Sequence, residues 1–179
     1  MFSPENSILL VIDIQGKLAR LMHKRDQLFR NVATLIQSAA LLEMPTIITE
    51  QVPEKIGATI PELIKFIKYY QPITKSCFSC CGEDQFNQEL TALNRKQIIV
   101  TGIEAHVCVY QTVSDLLNKN FEVQVVGDAV SSRTEANKQF GLDRINALGG
   151  SITCTEMIIC ELLKTCEHPQ FRKVVGLIK

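Results

Sequence analysis

Three residues of unlike chemistry, Asp13, Lys75 and Cys108, each stand where an apolar part of the chain gives way to polar sequence. Asp13 closes the run ILLVI at 8–12, Lys75 follows the segment 69–74, and Cys108 ends TGIEAHVC, the stretch that follows IIV at 98–100. A thiol attacks as its thiolate, so it needs a group to take its proton and a cation to hold the charge that results. An Asp and a Lys from neighbouring strands supply both, and a Cys in the first turn or two of a helix adds free N–H groups and the helix dipole, which favour a thiolate. The chemistry open to the trio is nucleophilic attack by sulfur. Each residue also has an ordinary alternative: a strand-end Asp caps a loop, a Lys is solvated, and a Cys packs in a core.

The other cysteine pattern is Cys77-Phe-Ser-Cys80-Cys81, which reads either as a redox or zinc motif or as small apolar filler. The chain has seven cysteines, an odd set without regular spacing, in a protein large enough to bury a core without covalent staples. Reduced thiols are expected. A structural zinc site wants a second ligand pair, and none of His23, His106 and His168 stands beside another ligand, so no metal or other cofactor is expected.

Residues that end strands can converge only if the strands share a sheet. ILLVI at 8–12, TII at 46–48, IIV at 98–100 and VQVV at 123–126 are largely continuous apolar runs, the mark of strands covered on both faces. Segment 69–74, broken early by Pro72, and residues 152–153 are candidates for two more. Between them the helical period appears over 28–42, 61–69, 86–93, 105–117, 134–148 and 157–163. Strand alternating with helix predicts an α/β domain with a parallel sheet, in which ligands sit beyond the carboxyl ends of the strands. With no linker-like stretch and 179 residues, a single domain spanning 1–179 is expected.

Composition narrows the partners. Nineteen basic residues balance nineteen acidic ones, so no summed positive field exists to gather nucleic acid or an anionic membrane surface. The first apolar run lacks a basic flank and stops at Asp13, and no uncharged apolar run reaches spanning length. A soluble, cytoplasmic protein acting on a small molecule is the expectation, with no nucleic acid and no membrane partner.

The segments VIDIQ at 11–15, TEQVP at 49–53, KSCFS at 75–79, GIEAHVC at 102–108 and DAVSSR at 128–133 together resemble the successive signatures of the isochorismatase-like cysteine hydrolases, and within them the isochorismatase domain-containing protein branch. The likeness keeps its order from residue 7 to the tail HPQF at 168–171. It implies a Rossmann-like three-layer α/β/α sandwich around a six-stranded parallel sheet, commonly assembled into oligomers. It also implies Cys108 as nucleophile, Asp13 as general base, Lys75 as the cation beside them, and the backbone N–H groups of Glu104 and Cys108 as an oxyanion hole. A cis peptide between Ile103 and Glu104 belongs to the same pattern.

Two departures sharpen what is implied. Nicotinamidases of the superfamily carry an Asp and paired His after the second strand, where this chain has Thr49-Glu50-Gln51-Val52-Pro53, which speaks against a metal-dependent nicotinamidase. True isochorismatases lack the cysteine, so Cys108 points to acyl or amide chemistry. The expected activity is metal-independent hydrolysis of a small amide or related acyl compound through a thioester; the alternative is a catalytically idle binding or scaffold protein. Gln15, Gln51, Phe78 and His106 flank the trio and are candidates for substrate binding, His106 being too far round a helix from Cys108 to act as its base. Asp128 and Arg133 are expected to tie down a loop. The apolar residues of 171–178 need cover from this chain or a neighbour, and a homo-oligomer is expected.

Overall fold

A computed structural model describes residues 1–178. Its six strands are β1 (Ser7–Ile12), β2 (Thr46–Gln51), β3 (Ile73–Lys75), β4 (Gln97–Ile103), β5 (Glu122–Ser131) and β6 (Ser151–Thr153). They form one sheet in the order β3-β2-β1-β4-β5-β6, every adjacent pair parallel. Side chains alternate between the faces of a sheet, and both faces here are covered, so every residue of β1 and β4 is buried. Leu9 and Val11 enter one core, while Ile8, Leu10 and Ile12 enter the other. Helices α2 (Arg25–Leu41), α8 (Thr155–Leu163) and α9 (Phe171–Val175) build the first core, and α5 (Asp84–Leu93), α6 (Tyr110–Asn118) and α7 (Glu135–Ala147) the second. This is the expected three-layer α/β/α sandwich.

Departures from the periodicity have local causes. The strand expected over 69–74 begins only at Ile73, because Pro72 has no N–H to give to a ladder. The helix expected over 61–69 is a single turn, α4 (Pro61–Ile64). Two further short helices, α1 (Gly16–Arg20) and α3 (Pro53–Ile56), carry too few residues to show a period. The helix expected over 105–117 is two pieces: a π-helical turn at Ala105–Val109 leads into α6.

The C-terminal segment finds its cover on this chain. Val174 is fully buried, Phe171, Val175 and Ile178 pack on the α2 core, and the Thr34 hydroxyl donates to Leu177 O at 3.2 Å. Asp128 does tie a loop down: its Oδ1 accepts from the Thr155 N–H (2.8 Å) and hydroxyl (2.9 Å), fixing the start of α8.

Candidate active site

The sheet order reverses between β1 and β4, and a sheet wound in both directions from one point leaves a crevice at the carboxyl ends there. Asp13 follows β1, Lys75 ends β3, and Cys108 lies in the π turn after β4. Lys75 Nζ lies 2.6 Å from Asp13 Oδ2, with the side chains 0% and 5% exposed. A buried ammonium is tolerable only when its protons are taken up, and Gln51 Oε1 (3.0 Å), Cys77 O (3.1 Å) and Phe78 O (3.2 Å) complete the shell. The second oxygen of Asp13 accepts from the Thr49 hydroxyl at 2.8 Å.

Backbone conformation aims these groups. Asp13 has φ 54°, a left-handed geometry that Asp tolerates better than most residues, and it turns the side chain out of the β1 alternation. Val52, directly after β2, has φ 40°, which a β-branched residue adopts only at a cost of about 1–3 kcal/mol. That turn sends α3 back over the crevice. Gly102 has φ 129°, and a Cβ there would stand 2.2 Å from Ile12 O, so only glycine lets β4 run this close to the end of β1.

The two glutamines predicted to bind substrate both line the cavity at Cys108 and also bond the chain. Gln15 Oε1 accepts from Gln51 N–H (2.7 Å), and its Nε2 donates to Gln51 O (3.1 Å) and Gly57 O (2.6 Å), which pins the β1, β2 and α3 ends together. Gln51 Oε1 accepts from Lys75 and from the Cys108 thiol at 3.4 Å, and its Nε2 donates to Ser76 O at 3.2 Å. Gln51 is therefore the bridge between the ammonium and the sulfur. His106 does not line the cavity at Cys108; its Nδ1 faces Ser132 Oγ at 2.9 Å, since two positions along a helical turn carry a side chain to the far side. Arg133 bonds Glu104 Oε1 through Nε at 2.8 Å, a charge-assisted tie on the loop after β4.

The thiolate expected from the helix start is reversed by the surroundings. Burial pushes the Cys108 thiol up to about 12, the Asp13 charge pushes the same way, and the opposing pull of Lys75 is smaller. The peptide bond between Ile103 and Glu104 is cis. Among the described residues the Glu104 N–H meets no backbone acceptor, while Glu104 O takes the N–H groups of Val107 (3.0 Å) and Val109 (3.3 Å). Gly141 of α7 lies against the same turn, where a Cβ would be 2.6 Å from Ala105 O.

A cavity of about 120 Å³ opens over Cys108, walled by Leu18, Ile56, Phe78, Ile103 and Val107 together with Asp13, Gln15, Gln51 and Glu104. Phe78 is 54% exposed and stands at the mouth. A wider cleft of about 520 Å³ runs beside α2 and α4, past Phe29, Gln37, Phe66 and Leu177, and no cysteine lines it. Thr49, Leu18 and Ile56 escaped the sequence reading. Thr49 sits next to the flagged Gln51, the only hint available, and the two wall residues lie in or beside the short helices. All seven cysteines are free; Cys80 is buried with its thiol toward Thr49 Oγ1 at 3.7 Å, and Cys77 is exposed. No three His, Cys, Asp or Glu side chains converge as metal ligands among the described residues.

Comparison with known proteins follows the same line. The isochorismatase domain model matches residues 7–157. Isochorismatase domain-containing protein 2 of Macaca fascicularis is 36% identical over 177 residues, covering 98% of this chain and 84% of the relative. The solved structure of MAR1 ribonuclease from Caenorhabditis elegans superposes with a TM-score of 0.93 at 37% identity, over 99% of this chain and 91% of that one. YcaC of Escherichia coli, described as an octameric hydrolase of unknown specificity, superposes at 0.88 with 23% identity, over 98% and 94%, and shares the fold. With its sheet order, its crevice and these relatives in agreement, the chain belongs to the isochorismatase domain family.

Proposed function

We propose that the protein is a cysteine hydrolase that cleaves a small amide or related acyl compound through a thioester on Cys108, without a metal. The observation that carries this is the buried Asp13–Lys75 pair set beside a thiol at the foot of a cavity. Apolar side chains of equal volume would serve stability as well or better than such a pair, so its presence favours a chemical task.

In the proposed cycle the Cys108 proton passes to Asp13 as sulfur attacks the carbonyl carbon. The oxyanion is held by the N–H groups of Glu104 and Cys108, each worth about 3–4 kcal/mol in the transition state. Asp13 returns the proton to the leaving nitrogen, the C–N bond breaks, and ammonia or an amine departs. Asp13 then takes a proton from water as the oxygen attacks the thioester, and gives it to sulfur as the C–S bond breaks, which regenerates the thiol and releases the carboxylic acid. Lys75 holds Asp13 in place and balances the charge that forms on sulfur.

The raised Cys108 pKa favours one competing reading, an idle site on a binding protein. The relative described as a ribonuclease suggests RNA as another substrate, yet a phosphodiester calls for a free cation and Lys75 is already paired. Wild type, Cys108→Ala and Lys75→Met should be assayed against an amide library and against RNA. Ammonia release by wild type that falls at least about 10³-fold in both variants supports the hydrolase. RNA cleavage that survives Cys108→Ala, or no turnover of any amide, overturns it. The seven free thiols suit a reducing compartment such as the cytoplasm. With the C-terminal segment covered, a homo-oligomer would draw on exposed Tyr69, Phe78, Phe140 and Met157, and light scattering at about 20 kDa would refute it.

A further inference from the structure

The chamber over Cys108 combines three features that together restrict what can enter it. The first is charge. Lys75 is surrounded by the Asp13 carboxylate and three carbonyl-type oxygens, Asp13 is held by Lys75 and the Thr49 hydroxyl, and Glu104 is held by Arg133. A carboxylate entering would give up its water and meet no unpaired cation. The second is polarity. Gln15 donates both Nε2 N–H groups to the chain, and Gln51 keeps one Nε2 N–H beyond its bond to Ser76 O, so the carboxamides leave at most one neutral donor for a polar substituent. The apolar part of the lining is the hydrocarbon of Leu18, Ile56, Ile103 and Val107 and the ring of Phe78, beside the already bonded Asp13, Gln15, Gln51 and Glu104.

The third feature is size. A cavity of about 120 Å³ is smaller than one of about 150 Å³ that accepts a bare benzene ring. An acetyl to butyryl chain fits that space; a benzene ring with a carboxamide does not. A short acyl group would lie on the apolar walls, with its carbonyl carbon near Cys108 Sγ and its oxygen toward the Glu104 N–H.

We propose that this chamber selects uncharged, short-chain aliphatic primary amides and rejects carboxylates and aromatic amides of ordinary size. The substrate class rests on the hydrolase reading for its chemistry, but the selectivity itself concerns binding and is testable without turnover. The probes are propionamide, propionate of the same size with a charge, and benzamide with a larger uncharged body. Each is titrated against Cys108→Ser by saturation-transfer NMR, with Leu18→Trp, which fills the chamber, as a site control. Should that variant fail to fold by circular dichroism, Val107→Phe replaces it.

Propionamide is expected to bind at least about 10-fold more tightly than propionate or benzamide, and to be lost when the chamber is filled. Propionate or benzamide binding as tightly, propionamide failing to bind, or propionamide binding that survives a filled chamber would each overturn the proposal. Phe78→Ala is expected to admit benzamide while still rejecting propionate, because it removes a wall and leaves every charge in place. Selective propionamide binding without ammonia release by wild type would sink the hydrolase reading and leave the chamber's selectivity standing. Rapid hydrolysis of an anionic or aromatic amide would do the reverse.

Discussion

A thiol whose pKa is raised by burial reacts only once its proton is taken, and the charges around Cys108 make that step visible. Asp13 raises the thiol pKa while Lys75 lowers it. Asp13→Asn should therefore split two properties that usually move together. With the carboxylate gone the pKa falls, so alkylation of Cys108 by iodoacetamide at pH 8 becomes faster, whereas turnover drops by about 10²–10⁴ for want of a base. Slower alkylation in that variant would contradict the charge assignment. Thr49→Val keeps shape but removes the hydrogen bond to Asp13, and we expect kcat to fall about 10-fold with KM little changed, Thr49→Ser restoring most of it. A drop in stability with unchanged kcat would make Thr49 merely structural. Asp13, Lys75 and Cys108 were legible because polar residues that end apolar runs stand out. Thr49 was not, since one hydroxyl inside a strand looks like any β-branched residue. Gln15 and Gln51 were located correctly, but their partners depend on side-chain geometry that spacing does not carry.

The strands and long helices could be read because burial on two faces writes itself as continuous apolar runs, and burial on one face as a 3.6-residue period. The short helices α1 and α3 could not, because one turn has no period, and their course is set by the left-handed Val52 and by the Gln15 clamp. The π turn at Ala105–Val109 was likewise hidden, as it differs from an α turn by a single residue of spacing. Its shape depends on α7, which approaches through Gly141. Glycine to alanine in a helix is ordinarily favourable by about 1 kcal/mol. Here the added Cβ would meet backbone atoms of Ala105 and His106 at 2.6–2.8 Å, and backbone cannot swing aside as a flexible side chain can. Overpacking of this kind costs about 1–3 kcal/mol, so Gly141→Ala should lower the urea midpoint and slow turnover by displacing Cys108. A stabilised, fully active variant would show that the turn is not braced by α7.

Across the whole molecule, burial leaves a signature in pH dependence. Cys80 is pushed to about 11, and Cys81, Cys108 and Tyr70 to about 12, each chiefly by desolvation of the charged form. The folded state keeps these protons after the unfolded chain, with ordinary values of 9.0 for Cys and 10.0 for Tyr, has lost them. Unfolding thus releases protons, and stability present below pH 9 is lost progressively as pH rises from about 9 toward 11–12. Urea midpoints at pH 7, 9 and 10.5 check this; a flat profile would mean the thiols reach water. The pairing of β1 with β4 has a consequence for division of the polypeptide. A break among residues 94–96 would separate two three-stranded pieces, one carrying the acid and the ammonium, the other the sulfur, and each ending in a bare strand edge that only the other matches. Neither piece alone could assemble the site, so two separately encoded halves would make a reporter that lights only when fused partners bring them together.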